Sequence, residues 1–202
     1  MIVTQARHTW SNSKATMLYP EDPVFRKGVE HGFTFLRDVM WDKEYGGFYQ
    51  MVDRSGKPIE DMKTAYGNAF AIFGLSAYIM ATADTGAMNL VRKAFSWLEK
   101  NSHDPVHKGY YQHLERNGSV IARPDTIESE SELGYKDQNS SIHLLEAFTA
   151  LYQVWPDPLV KERLTEMLSL VRDTMVNDKG ALVLFFEPNW TPVSFRDSTF
   201  EV

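Results

Sequence analysis

Lys136-Asp137-Gln138-Asn139-Ser140-Ser141-Ile142-His143-Leu144-Leu145-Glu146-Ala147-Phe148 opens a helical segment, 137–154, that is apolar nearly all round. Asn139 and His143 are four residues apart, so they share one helix face. In a helix otherwise so apolar, the two polar groups are expected to point into an enclosed space. A histidine held there is a candidate for proton transfer or for gripping a polar ligand.

A second segment of this kind spans 62–82, with Ala69, Phe70, Ile72, Phe73 and Leu75 and almost no charge. Helices apolar all round are buried on all sides. The remaining segments are 2–18, 21–40, 87–100 and 157–176. Three of these are amphipathic. In 21–40, Phe25, Val29, Phe33, Leu36 and Met40 recur at helical spacing; 87–100 carries Leu90, Val91, Ala94, Phe95 and Leu98; in 157–176, Leu159, Leu164, Met167, Leu168 and Val171 alternate with Lys161, Glu162, Arg163 and Glu166. Buried helices alternating with amphipathic ones imply an inner ring inside an outer ring. The expected fold is all-α, an α/α toroid whose cavity opens where the connecting loops gather.

Short aromatic hairpins with glycine turns separate the helix pairs. One spans 44–56 around Gly46-Gly47-Phe48-Tyr49, a second spans 107–118 around Gly109-Tyr110-Tyr111, and a third covers 179–186. Gly47 and Gly109 are 62 residues apart. The unit is helix, helix, hairpin, repeated about three times, and such a period means that each unit buries its face on the next.

The chain has 202 residues, enough for one domain or one and a half, and 43% of them are hydrophobic. A net charge of −6 argues against nucleic acid as a partner. Without cysteine there is no disulfide, thiol nucleophile or thiolate-bound metal. No apolar run reaches the roughly 18 residues that span a bilayer, and Arg7 and His8 interrupt the start before any signal-peptide pattern forms. A cytoplasmic protein that avoids membranes is expected. His8, His31, His103, His107 and His113 show no H-E-x-x-H spacing, and Pro105 breaks the helical face between His103 and His107. Gly46-Gly47 opens no helix and is no phosphate loop. No metal and no other cofactor is expected.

Several stretches together resemble the N-acylglucosamine 2-epimerase family, which includes cellobiose 2-epimerases and mannose isomerases. They are Val3-Thr4-Gln5-Ala6-Arg7-His8-Thr9-Trp10-Ser11, the Gly-Gly-Phe-Tyr hairpin, Lys63-Thr64-Ala65-Tyr66-Gly67-Asn68-Ala69-Phe70-Ala71-Ile72-Phe73, the segment 139–148, and Leu184-Phe185-Phe186-Glu187-Pro188-Asn189-Trp190. The resemblance covers essentially the whole chain and implies an (α/α)6 barrel about twice this long. It implies proton transfer at C2 of an aldose after ring opening, by histidine acid/base catalysis. It places Arg7 near the O1/O2 end of the sugar, turns Tyr66 and Asn139 toward the substrate, and gives His143 a part in ring opening or binding. The family's Ser-Phe/Tyr-Gly-His-Asp-Xaa-Glu segment is not completed by Ser194-Phe195-Arg196-Asp197-Ser198-Thr199-Phe200-Glu201-Val202. Residues 1–202 are therefore expected to form a single partial domain, about half of the toroid, without the family's first helix and its C-terminal half.

His143 and Arg7 are the expected catalytic residues; an arginine stays cationic and offers several donors to an enediolate oxygen. Tyr66, Asn139, Trp10 and Glu146 are the expected substrate contacts. Each has a plainer reading. A buried tyrosine needs only a partner for its hydroxyl, Asn139 sits where a helix cap belongs, and Trp10 suits a core as well as a sugar platform. Glu146, three residues after His143, could instead orient that histidine. The cluster Glu128, Glu130 and Glu132 reads as a solvated loop.

A small sugar, mono- or disaccharide, is the expected partner. Two alternatives stand beside the epimerase or isomerase: a catalytically incomplete fragment of such an enzyme, and a glycoside hydrolase or lyase on the same toroid. The latter needs paired carboxylates, of which the inner helices supply Glu146 alone. A half toroid exposes apolar inner-helix surface, so self-association is expected.

Overall fold

The computed structural model describes residues 1–125 and 131–193. Its helices are α1 (Ile2–Leu18), α2 (Pro23–Phe35), α3 (Ala65–Thr82), α4 (Thr85–Asn101), α5 (Gln138–Val154) and α6 (Pro158–Leu170). Five of them start on a side chain that accepts an otherwise unpaired amide of the first turn. Asp22 accepts from Val24, Thr64 from Gly67, Asp84 from Ala87, Asp137 from Ser140 and Asp157 from Leu159. The cap of α5 is thus Asp137, two residues before Asn139, which leaves Asn139 inside the first turn. α2 and α6 each run on through one π turn, Leu36–Met40 and Val171–Met175, instead of continuing as one regular helix. The segment expected from 62 begins as helix only at Ala65, because Lys63 and Thr64 are strand.

The inner layer is α1, α3 and α5, with α3 packed between the other two; α2, α4 and α6 back them in turn as the outer layer. The core runs continuously from Ile2 through Leu75, Phe95 and Phe148 to Met167. α1 and α3 approach so closely at Gly74 that a Cβ there would stand 2.7 Å from the Ala6 carbonyl oxygen. α3 is buried nearly all round, as its composition predicts. α5 is not. Leu144, Ala147, Phe148 and Leu151 are buried, but Asn139, Glu146 and Thr149 are exposed. α5 packs on α3 at one flank and on α6 behind, and among the described residues nothing covers its concave face. No helix among these residues is long and apolar enough to cross a membrane.

The short strands link successive units. β1 (Met51–Val52) pairs with β2 (Pro58–Glu60). β3 (Lys63–Thr64), which leads into α3, pairs antiparallel with β4 (His113–Leu114), Lys63 opposite Leu114. β5 (Lys136–Asp137), which leads into α5, pairs with β6 (Phe185–Phe186), which also pairs with β7 (Pro192–Val193). Each strand entering these two inner helices is therefore stitched to the hairpin of the following unit.

Two buried lysines lock this arrangement. Lys63 Nζ donates to Asp42 Oδ2 at 2.9 Å, to the Arg116 carbonyl at 2.6 Å and to the Gly46 carbonyl. Lys136 Nζ donates to Asp104 Oδ2 and to the carbonyls of Lys108 and Pro188, each at 2.8 Å. Both lysine side chains are 0% exposed. An ammonium has three protons to donate, and each finds an acceptor. The other oxygens of Asp42 and Asp104 accept two turn amides apiece, Glu44 and Tyr45, and Val106 and His107.

Candidate functional site

The N-terminal halves of α1, α3 and α5 bring four side chains together. The Arg7 guanidinium carbon lies 4.7 Å from the centre of the Phe70 ring. On Phe70 rests the His143 ring, 4.5 Å between centroids, and Tyr66 stands edge-on to both, 4.9 Å from Phe70 and 5.2 Å from His143. Arg7, Phe70 and His143 thus form a stack reaching across all three inner helices. His143 Nδ1 is 2.6 Å from Glu146 Oε2.

Hairpin residues hold this end of the wall. The Tyr66 amide donates to Gln112 Oε1 at 3.1 Å, and the Ala65 amide to the Gln112 carbonyl at 2.9 Å. With the Lys63 and Lys136 locks, they set where α3 and α5 begin, and so where Tyr66 stands in the first turn of α3 and His143 in the second turn of α5.

Deeper on the concave side is a trough of about 330 Å³ lined by Trp10, Lys14, Phe73, Met80, Leu145 and Glu146, among others. Trp10 stacks on Phe73, 5.7 Å between centroids and 16° from parallel. Trp10 is therefore part of an aromatic floor, with Lys14 Nζ 6.0 Å from its ring.

The space is a groove, not the enclosed cavity expected around Asn139 and His143. Asn139 is exposed at the rim, and the His143 side chain is 18% exposed. Of the expected residues, the structure gathers Arg7, Tyr66, His143 and Glu146, puts Trp10 lower down, and leaves Asn139 on the edge. Phe70, the residue that joins Arg7 to His143, went unnoticed in the sequence because an apolar residue one turn after Tyr66 reads as core.

His103 does not pair with His107; its Nε2 is 2.9 Å from Glu166, in the polar tie that Arg163 and Glu99 complete between α4 and α6. His113, opposite Thr64, has a buried Nδ1 with no partner among the described residues, and burial pushes its pKa down against the pull of Asp137. Glu132 is exposed at the surface. Glu128, Glu130 and the segment 194–202 lie outside the described residues.

Chemically, one wall offers a permanent cation, an imidazole paired to a carboxylate, a phenol and aromatic faces. That set suits a polyhydroxylated ligand that passes through an oxyanion. The sequence pattern of N-acylglucosamine 2-epimerase (GlcNAc 2-epimerase) matches residues 1–200. The chain belongs to the N-acylglucosamine 2-epimerase family.

Cellobiose 2-epimerase of Ruminococcus albus is 34% identical over 190 residues, covering 92% of this chain and 47% of the relative. D-mannose isomerase of Thermobifida fusca is 24% identical over 196 residues, covering 94% of this chain and 45% of the relative. The solved cellobiose 2-epimerase of Spirochaeta thermophila superposes with a TM-score of 0.86 at 29% identity, covering 95% of this chain and 47% of that one. The chain spans about half the length of the curated relatives it matches. The family fold is the (α/α)6 toroid, and the three helix pairs seen here are half of one.

Proposed function

We propose that these residues supply one wall of a sugar 2-epimerase or aldose–ketose isomerase. The observation that carries this reading is the Arg7–Phe70–His143 cluster, in which a fixed cation and an imidazole, from the two inner helices that flank α3, meet on one ring. The family membership and the names of the relatives support the same class.

In this reading a reducing mono- or disaccharide enters from the hairpin side. His143 assists ring opening. A base then removes the proton at C2 and the electron pair moves onto the carbonyl oxygen, giving an enediolate whose charge Arg7 holds. Return of the proton to the opposite face of C2 gives the epimer; its delivery to C1, with the O2 proton passing to O1, gives the ketose. Tyr66 and Asn139 take sugar hydroxyls, and Trp10 lies beneath them.

Proton transfer at C2 falls to the facing wall, which we assign to further chain, so that residues 1–202 are a partial domain. Coverage of about half of each relative supports this, as does the uncovered concave face of α5. A cytoplasmic setting goes with the reading. The test is an NMR titration of the chain with cellobiose or mannose. Ring signals of His143 and Tyr66 should shift together and saturate, with a smaller Tyr66 response in His143→Ala; shifts confined to residues away from the groove would overturn it.

A further inference from the structure

Glu146 is a charged residue of the groove to which the proton transfers at C2 assign no role. It lies three residues after His143 on α5, and its Oε2 is 2.6 Å from His143 Nδ1. Its side chain is 56% exposed, against 18% for His143, so an open carboxylate reaches back along α5 to a more sheltered ring. Phe70 and Tyr66 flank that ring at 4.5 and 5.2 Å. The other charged groups nearby are Arg7, which lies over Phe70, and Lys14, across the trough from Glu146. His143 Nε2 has no hydrogen-bond partner among the described residues and is not a buried, unpaired atom.

A carboxylate only accepts. In the neutral imidazole the proton must therefore sit on Nδ1, and the lone pair on Nε2; which nitrogen is protonated follows from the bond the other one makes. We infer that Glu146 is the positioning residue that holds His143 as the Nδ1–H tautomer, with Nε2 its basic nitrogen. The pairing itself needs no sugar. What Nε2 acts on rests on the sugar reading above. There it accepts the proton of the anomeric hydroxyl while the C1–O5 bond breaks, C1 becomes the aldehyde carbon, and O5 takes a proton from water. Reclosure on either face returns the Nε2 proton to O1 and the O5 proton to the hydroxide left by that water. The chain then accelerates mutarotation of reducing aldoses, a step that needs neither of the protons moved at C2.

Histidine-labelled chain is examined by long-range ¹H–¹⁵N correlation at about pH 8.5, above the ordinary imidazole range. His143 should show a protonated Nδ1 and an unprotonated Nε2, and Glu146→Ala should move the proton toward Nε2 with the remaining spectrum unchanged. An Nε2–H tautomer in the unaltered chain, or no change in Glu146→Ala, overturns the positioning role. Mutarotation of α-D-glucose, followed by polarimetry, is then compared with buffer. Acceleration that falls about tenfold or more in Glu146→Ala and vanishes in His143→Ala supports the full proposal. The expected tautomer with no acceleration leaves Glu146 its positioning role and overturns the sugar chemistry assigned to His143.

Discussion

Lys136 Nζ lies 2.8 Å from Asp104 Oδ2, with the lysine side chain fully enclosed and the aspartate nearly so. One unit earlier, Lys63 stands in the same relation to Asp42 at 2.9 Å. In each case the lysine stands two residues before an inner helix, next to its cap, and the aspartate belongs to the turn of the hairpin before it. Asn177 takes the corresponding place in the third unit, where its Oδ1 accepts the amides of Lys179 and Ala181. An amide can thus hold the turn. The negative charge is needed only where a lysine must be buried.

Removing one partner of such a pair is costly because the other charge stays behind in low dielectric. Lys136→Met should destabilise the fold by about 3–5 kcal/mol, read as a lower urea midpoint. Lys136→Met combined with Asp104→Asn should recover much of that loss, since the remaining amide still accepts the turn amides. A double variant no more stable than the single one would show that the charge is not the cause.

Acid should weaken the same locks. Burial alone would raise the Asp104 carboxyl, but the Lys136 hydrogen bond and the His107 and Val106 amides outweigh it and hold it at about 2, against 3.8 for an ordinary aspartate. Asp42 is displaced the same way, burial being outweighed by Lys63, Arg116 and two amides. Both groups bind protons more readily unfolded than folded. Their stabilisation is present at neutral pH and is lost as pH falls from roughly 4 toward 2. Urea midpoints at successive pH values should drop through that window, and Lys136→Met should show a shallower drop.

Gly109 has φ +71°, and a Cβ there would collide with Trp190 Cζ2. Trp190 cannot easily yield, since its indole N–H donates to the His107 carbonyl at 2.8 Å. Gly180 has φ +81° with nothing within 4 Å. Gly180→Ala should cost only the left-handed strain of about 1–2 kcal/mol, while Gly109→Ala adds about 1–3 kcal/mol for the clash. Calorimetric unfolding of the two variants compares them directly.

The trough presents half-buried Trp10, Phe73, Met80 and Leu145 with no cover among the described residues. The chain on its own should self-associate through this face. Light scattering after size exclusion should give a mass that rises with concentration, and Leu145→Lys should reduce it to the monomer value. A monomeric chain at all concentrations would show that the trough is tolerated in water.

The alternation of inner and outer helices was legible because charge on α2, α4 and α6 and its scarcity on α3 follow directly from what each face touches. α5 was misjudged for a physical reason: Ile142 and Leu145 record a preference for cover, and periodicity does not say whether the cover is there. Asn139 reads as the cap of α5, but Asp137 holds that place, because its carboxylate accepts the Ser140 amide. Lys63 and Lys136 were passed over because a lone lysine ahead of a helix normally lies in water. Their shared position, each following an aspartate in the preceding hairpin turn, was the signal available. The Arg7–Phe70–His143 stack depends on how three helices lie against one another, which no local pattern encodes.

Proton exchange at C2 of a reducing sugar is the reaction proposed for the whole protein. The direct measurement is deuterium at C2 after cellobiose or mannose is incubated in D2O with the whole protein that carries these residues. Deuterium should enter C2 of the recovered sugar along with epimer or ketose, and Arg7→Ala and His143→Ala should suppress both. Sugar recovered with protium only at C2 and no new product would contradict proton exchange at this carbon.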